Sequence, residues 1–286
     1  MFQVFSVIYW LFFAASASAL FLVCAPVFLL CLPFDRRRVV FHMILCAWGS
    51  FYIYANPFWH VRTTGRSRLP WNGPAVLVAN HASVIDILVL FNLYRPFKWV
   101  SKRSNFNLPV VGWLMWMADY VPLIRGNRKS IMEMLDQCAV HLKRGSPLLL
   151  FPEGTRSPDG RLRAFKEGAF AIALEAGCPV IPIAVHGTEH VLPKHGFFFG
   201  RMRAHAEVLQ PIDSRSFGSV EALRDAAHDA IQAALTSKSG EEHTGATYEG
   251  GGRPPRLERP GLASHGTGAP GTAHHDGRPR SPALWP

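Results

Sequence analysis

The sequence predicts an α/β fold, a mostly parallel sheet flanked by helices, carrying an N-terminal hydrophobic helical membrane-anchoring motif. Three features predict it. Val4 to Leu32 holds no charged residue, which is longer than the roughly 20 apolar residues a helix needs to cross a bilayer. From Pro74 onward, short and continuously apolar runs alternate with helical stretches, the pattern of strands buried on both faces. Beyond Ser237 the chain is rich in Gly, Pro, His, Ser and Thr and lacks the apolar residues needed to offset the entropy of ordering. The expected organisation is therefore anchoring helices over 1–60, one folded domain over 61–236 and a disordered Gly/Pro-rich tail over 237–286.

The first apolar run ends at Pro33 and the Asp35-Arg36-Arg37-Arg38 cluster. Its rival reading is a signal peptide, since Ala15 to Ala19 resembles a small-residue cleavage site, but no Lys or Arg precedes the run and Leu20 to Val23 prolong it. A second segment, Val39 to Trp59, carries Trp48, Tyr52, Tyr54 and Trp59, residues that favour the membrane interface, so it reads as lying in the headgroup region; a buried helix of the folded domain is the alternative. Strands are expected at Ala75–Ala79, Lys98–Ser101, Val121–Ile124, Leu148–Phe151 and Val180–Val185, with an edge strand at Ala204–Leu209. Between them fall helices at Val84–Leu93, Asn107–Met117, Arg128–Arg144 and Gly168–Ala176, the last two closed by Gly145 and Gly177. A final amphipathic helix runs over Val220–Leu235 with Ser219 as N-cap.

Formal net charge is +10, which admits nucleic acid, an anionic membrane surface or an acidic small substrate as partner. Arg36, Arg37, Arg38, Arg62, Arg66 and Arg68 flank the most apolar part of the chain, which favours a cytoplasmic membrane face and argues against a nucleic-acid partner. The five cysteines, Cys24, Cys31, Cys46, Cys138 and Cys178, show neither a CxxC nor zinc spacing with His, so no metal and no disulfide framework is expected. His274-His275 reads as part of a solvated tail. No Gly-x-Ser-x-Gly occurs, which weighs against a serine hydrolase of the α/β-hydrolase type.

Two stretches carry chemistry. In Asn80-His81-Ala82-Ser83-Val84-Ile85-Asp86, a His just past a strand precedes an Asp in the first turn of the next helix. A carboxylate bonded to one imidazole nitrogen fixes the tautomer and leaves the other free to take a proton from a hydroxyl. A core His beside a helix-capping Asp is the plainer reading. In Phe151-Pro152-Glu153-Gly154-Thr155-Arg156-Ser157, a buried strand runs into a polar turn. Gly154 permits the tight turn, Arg156 offers a forked donor suited to phosphate, and Glu153 can accept hydrogen bonds; a surface Arg-Glu pair on an ordinary turn is the alternative.

Taken together, the two stretches resemble the motifs of the lysophosphatidic acid acyltransferase family, the glycerolipid acyltransferases that make phosphatidic acid. Asn80-His81 through Asp86 matches the first family motif, Phe151 through Ser157 matches the third without change, and the resemblance covers Trp71 to Ile212. At the second motif Asp119, Pro122, Leu123 and Arg125 stand where the family has Gly, Phe, Ile and Arg, so only Arg125 carries over. Lys98-Trp99-Val100-Ser101-Lys102 resembles the block that supplies a basic residue to the acceptor site, which nominates Lys102. Val180-Ile181-Pro182-Ile183 resembles the fourth motif, and Lys166 is expected near phosphate or on the surface.

The resemblance implies a glycerolipid acyltransferase fold and direct acyl transfer to the hydroxyl of 1-acyl-sn-glycerol 3-phosphate. His81 and Asp86 would be catalytic, and Arg125, Glu153, Gly154, Thr155, Arg156 and Lys102 would bind substrate. It implies no tightly bound cofactor; acyl-CoA or acyl carrier protein would bring the acyl group as co-substrate, and membrane lipids would surround the anchor. Another lysolipid acceptor is the nearest alternative, and a noncatalytic lipid-binding protein the distant one. Because the Arg36–Arg38 cluster and a domain served by soluble donors both belong on the cytoplasmic face, the second apolar segment is expected not to cross, whereas the first crosses or dips.

Overall fold

The computed structural model describes residues 2–189, 191–192 and 199–245. Helix α1 spans Phe2–Cys31 and α2 spans Val39–Ala55, joined by a short turn in which both Asp35 carboxylate oxygens accept N–H groups from the first residues of α2 (Val39 at 2.7 Å, Val40 at 2.8 Å). A negative side chain there satisfies donors a helix start leaves unpaired.

Among the described residues, seven strands form one sheet: β1 (Trp59–Thr64), β2 (Val76–Ala79), β3 (Lys98–Lys102), β4 (Val121–Leu123), β5 (Leu148–Leu150), β6 (Val180–His186) and β7 (Met202–Val208). Their spatial order is β1-β7-β6-β2-β5-β3-β4. From β6 to β4 all neighbours are parallel; β7 runs antiparallel to β6, and β1 pairs parallel with β7. Strand β7 is therefore covered at the edge position expected for it, because β1, unforeseen from sequence, lies outside it. The second apolar segment correspondingly stops at Ala55, and Trp59 belongs to the sheet rather than to the membrane segment.

The remaining helices are α3 (Asp86–Phe91), α4 (Val111–Met117), α5 (Arg128–Lys143), α6 (Gly168–Ala176) and α7 (Val220–Gly245). Asn127 caps α5 by accepting from the Ser130 N–H at 2.9 Å, and the Ser219 hydroxyl accepts from the Ala222 N–H at 3.2 Å at the head of α7. Helix α7 continues past Leu235 to Gly245; the rest of the expected tail, with His274 and His275, lies outside the described residues.

Strand alternation divides the core in two. Leu77, Ala79, Leu149, Ile181 and Ile183 face one side, where they meet α2, α3 and the start of α1; Val76, Val78, Leu148, Leu150 and Val180 face α5, α6 and α7. A third apolar cluster joins Cys24 of α1, Phe41 and Leu45 of α2 and Leu114 of α4. Helix α2 is thus a core helix: His42, Cys46, Gly49 and Ile53 are buried, while Phe51 and Tyr54 are exposed.

Helix α1 touches the domain at both ends. Near its start the Ser6 hydroxyl accepts from the Phe199 N–H at 2.9 Å and Tyr9 packs on Trp59. After its end Arg37 donates to the carbonyls of Gly145 (2.9 Å) and Trp71 (3.0 Å). Along the helix Val4, Ile8, Leu11, Leu22, Leu29 and Leu30 remain exposed, an apolar face against which none of the described residues packs. It is the single described helix long and apolar enough to cross a membrane, 29 residues of mean hydropathy 2.2 over Gln3–Cys31, and this face is consistent with membrane association.

Candidate active site

The C-terminal ends of the parallel strands β2, β3, β4 and β5 meet at one crevice, the place where open α/β sheets bind ligands. His81 follows β2, and Asp86 is the first residue of α3, so a short turn folds the carboxylate back onto the imidazole. His81 Nδ1 lies 2.8 Å from Asp86 Oδ2. The same oxygen accepts N–H bonds from Ala82 (2.8 Å) and Ser83 (2.9 Å), and Asp86 is fully buried. Three donors on one buried carboxylate oxygen hold the acid in place, and with Nδ1 as a donor to it, Nε2 is left as the basic nitrogen.

The turn after β5 supports this pair from below. Buried Glu153 accepts the backbone N–H of His81 at Oε1 (2.7 Å) and that of Arg163 at Oε2 (3.2 Å), while the His81 carbonyl accepts from the Ser157 N–H at 2.8 Å. Burial pushes the Glu153 carboxyl up to about 7, against the pull of those two N–H donors, and the negative charge of Asp86 adds to the rise. Phe151 stacks on the His81 ring with centroids 4.1 Å apart and planes at 19°. Gly154 sits at φ +72°, a conformation that calls for glycine, and a Cβ there would come 2.9 Å from Lys166 Cε and displace the end of that lysine.

His81, Lys102, Arg125 and Gly154, with Trp99 and Phe151, line a small cavity of about 70 Å³. Burial lowers the Arg125 guanidinium from its usual value; burial, and then the charges of Arg125 and Arg163, hold the Lys166 ammonium below the ordinary lysine range. Cations that repel one another beside an apolar wall form a natural anion site. The structure thus brings together His81, Asp86, Glu153, Gly154, Lys102 and Arg125. Thr155 and Arg156 are half-buried in the same turn, but neither lines this cavity. Lys166, which also lies outside that lining, passes over Gly154 and feels the charge of Arg125. The Phe151 ring partner and the Arg163 N–H were not foreseen, although Phe151 stands within the motif. Both ends of the Asn80 amide pair with the Val185 backbone (2.7 and 2.8 Å), tying β2 to β6 just ahead of His81.

Among the described residues, His186, His205 and Glu207 each bring one potential ligand atom within 4.8 Å of the others, an arrangement able to hold a cation. It arises from the antiparallel pairing of β6 with β7, which spacing along the chain does not reveal.

Fold and site define an acyltransferase domain: the Acyltransferase family matches residues 60–186. A 1-acyl-sn-glycerol-3-phosphate acyltransferase of Escherichia coli is 30% identical over 212 residues, 66% of this chain and 86% of that protein. The chain belongs to this family. A Chlamydomonas reinhardtii enzyme of the same name is 42% identical over 192 residues, covering 64% of this chain and 56% of its own. The chain spans about half the length of that alga's protein and of its plant counterparts. The crystal structure of the 1-acyl-sn-glycerophosphate (LPA) acyltransferase from Thermotoga maritima shares the fold, with TM-score 0.68 and 24% identity, over 87% of this chain and all of that one.

Proposed function

We propose that the protein transfers a fatty acyl group from an acyl thioester to the free hydroxyl of 1-acyl-sn-glycerol 3-phosphate, yielding phosphatidic acid. The observation that carries this reading is the 2.8 Å His81–Asp86 pair opening onto the same cavity as Lys102 and Arg125. A hydroxyl to be activated and a phosphate to be held need those two features side by side.

In the proposed step, His81 Nε2 removes the hydroxyl proton as the oxygen attacks the thioester carbonyl. The tetrahedral intermediate collapses, the C–S bond breaks, and the imidazolium returns the proton to the leaving thiolate. Asp86 stabilises the imidazolium, as the buried acid of a catalytic triad does. Arg125, Lys102 and Lys166 hold the phosphate, and Glu153 fixes the backbone at His81. A wholly apolar recess of about 100 Å³, lined by Phe13, Trp48, Gly49, Phe91 and Leu114, shares Trp99 with the catalytic cavity and suits a hydrocarbon chain.

The same reading sets the membrane geometry. Since both ends of α1 contact the domain, the helix lies along it with its apolar face in one leaflet, and α2 does not cross. The domain then faces the cytoplasm, where soluble acyl donors reside.

The test is acyl transfer to paired lysolipids by protein reconstituted in vesicles. His81→Ala should abolish transfer, Asp86→Asn should slow it by about 10² to 10⁴-fold, and Arg125→Ala should raise KM for the phosphate-bearing acceptor more than for the donor. Near-normal turnover by folded His81→Ala would sink the mechanism.

A further inference from the structure

The catalytic cavity of about 70 Å³ does not accommodate both reactants, and its cations suit the acceptor. A second cavity, about 610 Å³, flanks the His81 turn on its other side, with Asn80 and Ala82 in its wall. That volume is within the roughly 300–1,000 Å³ of ordinary small-molecule sites. It is bounded by the loop at Gly160–Leu162, the ends of β6 and β7, and Gln232, Leu235 and Thr236 on the second half of α7.

Its position relative to the sheet is informative. Asn80, His186, Arg203 and His205 share the strand parity of Val78 and Ala184, which face α7, whereas the apolar helices α1 and α2 pack on the opposite face. A lipid acceptor arriving from the α1–α2 side and a carrier arriving from water would therefore meet at His81 from opposite faces. The lining is also charged for an anion: Arg161 and Arg203 are both exposed at the rim, against Glu189. The wall is fixed, because Gly187 turns at φ +73° so close to the Arg203 carbonyl that a Cβ would lie 2.1 Å from it, and Asn80 clamps Val185.

We propose that this cavity binds the phosphopantetheine arm of the acyl thioester, with Arg161 and Arg203 on its phosphate and the sulfur end directed past Ala82 toward His81. The inference rests on the acyl-transfer reading above. Phosphopantetheine is the part that coenzyme A and acyl carrier protein have in common; the adenosine phosphates of the one and the acidic protein of the other would extend beyond the rim. A forked guanidinium suits the phosphate in either case.

The full chain in phospholipid vesicles is assayed with acyl-CoA and, separately, with acyl carrier protein, for wild type, Arg203→Glu and Thr236→Trp. The last variant fills the cavity from the surface of α7 without altering the sheet. Each variant should raise donor KM with acceptor KM unchanged, Arg203→Glu by about 10- to 100-fold, the range expected for losing a charge-assisted hydrogen bond. Free 4′-phosphopantetheine should compete with donor in wild type and lose that competition in Arg203→Glu. A rise with both donors supports a site for the shared arm; a rise with one alone assigns the cavity to a part the other donor lacks and overturns the proposal. Donor KM unchanged in both variants, or an equal rise in acceptor KM, overturns the proposal. Wild type that transfers to no lysolipid yet binds 4′-phosphopantetheine overturns the acyl-transfer reading instead.

Discussion

Replacing Glu153 by glutamine tests whether burial displaces the ionisation of this carboxyl. Its ionisation is displaced from 4.5 to about 7, chiefly by burial. A carboxyl raised in the folded state favours folding while protonated. Between pH 4.5 and 7 the native form holds a proton that the unfolded form has lost, so stability declines as pH rises through that window. The displacement corresponds to about 3 kcal/mol. For a domain of this size it equals roughly 6–12 °C in unfolding temperature, at about 2–4 °C per kcal/mol. The amide of Glu153→Gln cannot ionise and lacks the slope, so the variant should gain about that much relative to wild type on going from about pH 4 to pH 8. Thermal unfolding of both proteins in the same detergent across that range measures it. A constant difference between the two would show that Glu153 ionises alike in the folded and unfolded protein, and the displacement by burial would be refuted.

Two other outcomes are expected. Gly154→Ala places a side chain at φ +72° and presses on Lys166, so it should lower stability by about 1–2 kcal/mol and raise acceptor KM as Lys166 is displaced; unchanged thermal unfolding together with unchanged KM would refute it. Single cysteines introduced at Gln3, Phe34 and Ser237 should all resist a membrane-impermeant reagent in intact cells and react once the membrane is opened, and labelling of a subset would show that a helix between the sites crosses.

The layered fold was legible because its signals are local. Val76–Ala79, Leu148–Leu150 and Val180–His186 are apolar on both faces, and Asn127, Ser219, Gly145 and Gly177 punctuate the helices where capping chemistry places them. Strand β1 was not legible: Trp59-His60-Val61-Arg62-Thr63-Thr64 is polar on its outward side and follows an apolar helix whose hydrophobicity runs into it. It gains its place only by pairing with β7, far along the chain. The His81–Asp86 contact follows from a short turn and could be read from spacing, as could the need for glycine at Gly154. The large cavity beside His81 could not, since its wall is assembled from separate stretches that only the sheet order brings together.

The interior contacts of α1 and α2 bear on how the protein is made. Tyr9, Cys46, Tyr52 and Ile53 belong to the same apolar cluster as Leu77, Ile183 and Ala206, so the hydrophobic hairpin and the sheet complete one another. A chain stripped of both helices would uncover that cluster to water and should aggregate rather than yield a smaller soluble enzyme. During synthesis the hairpin leaves the ribosome before any strand does, and the sheet closes on it only after β7 has emerged. Until then the sheet-facing residues of the hairpin stay uncovered, so the core closes late, with the last strand.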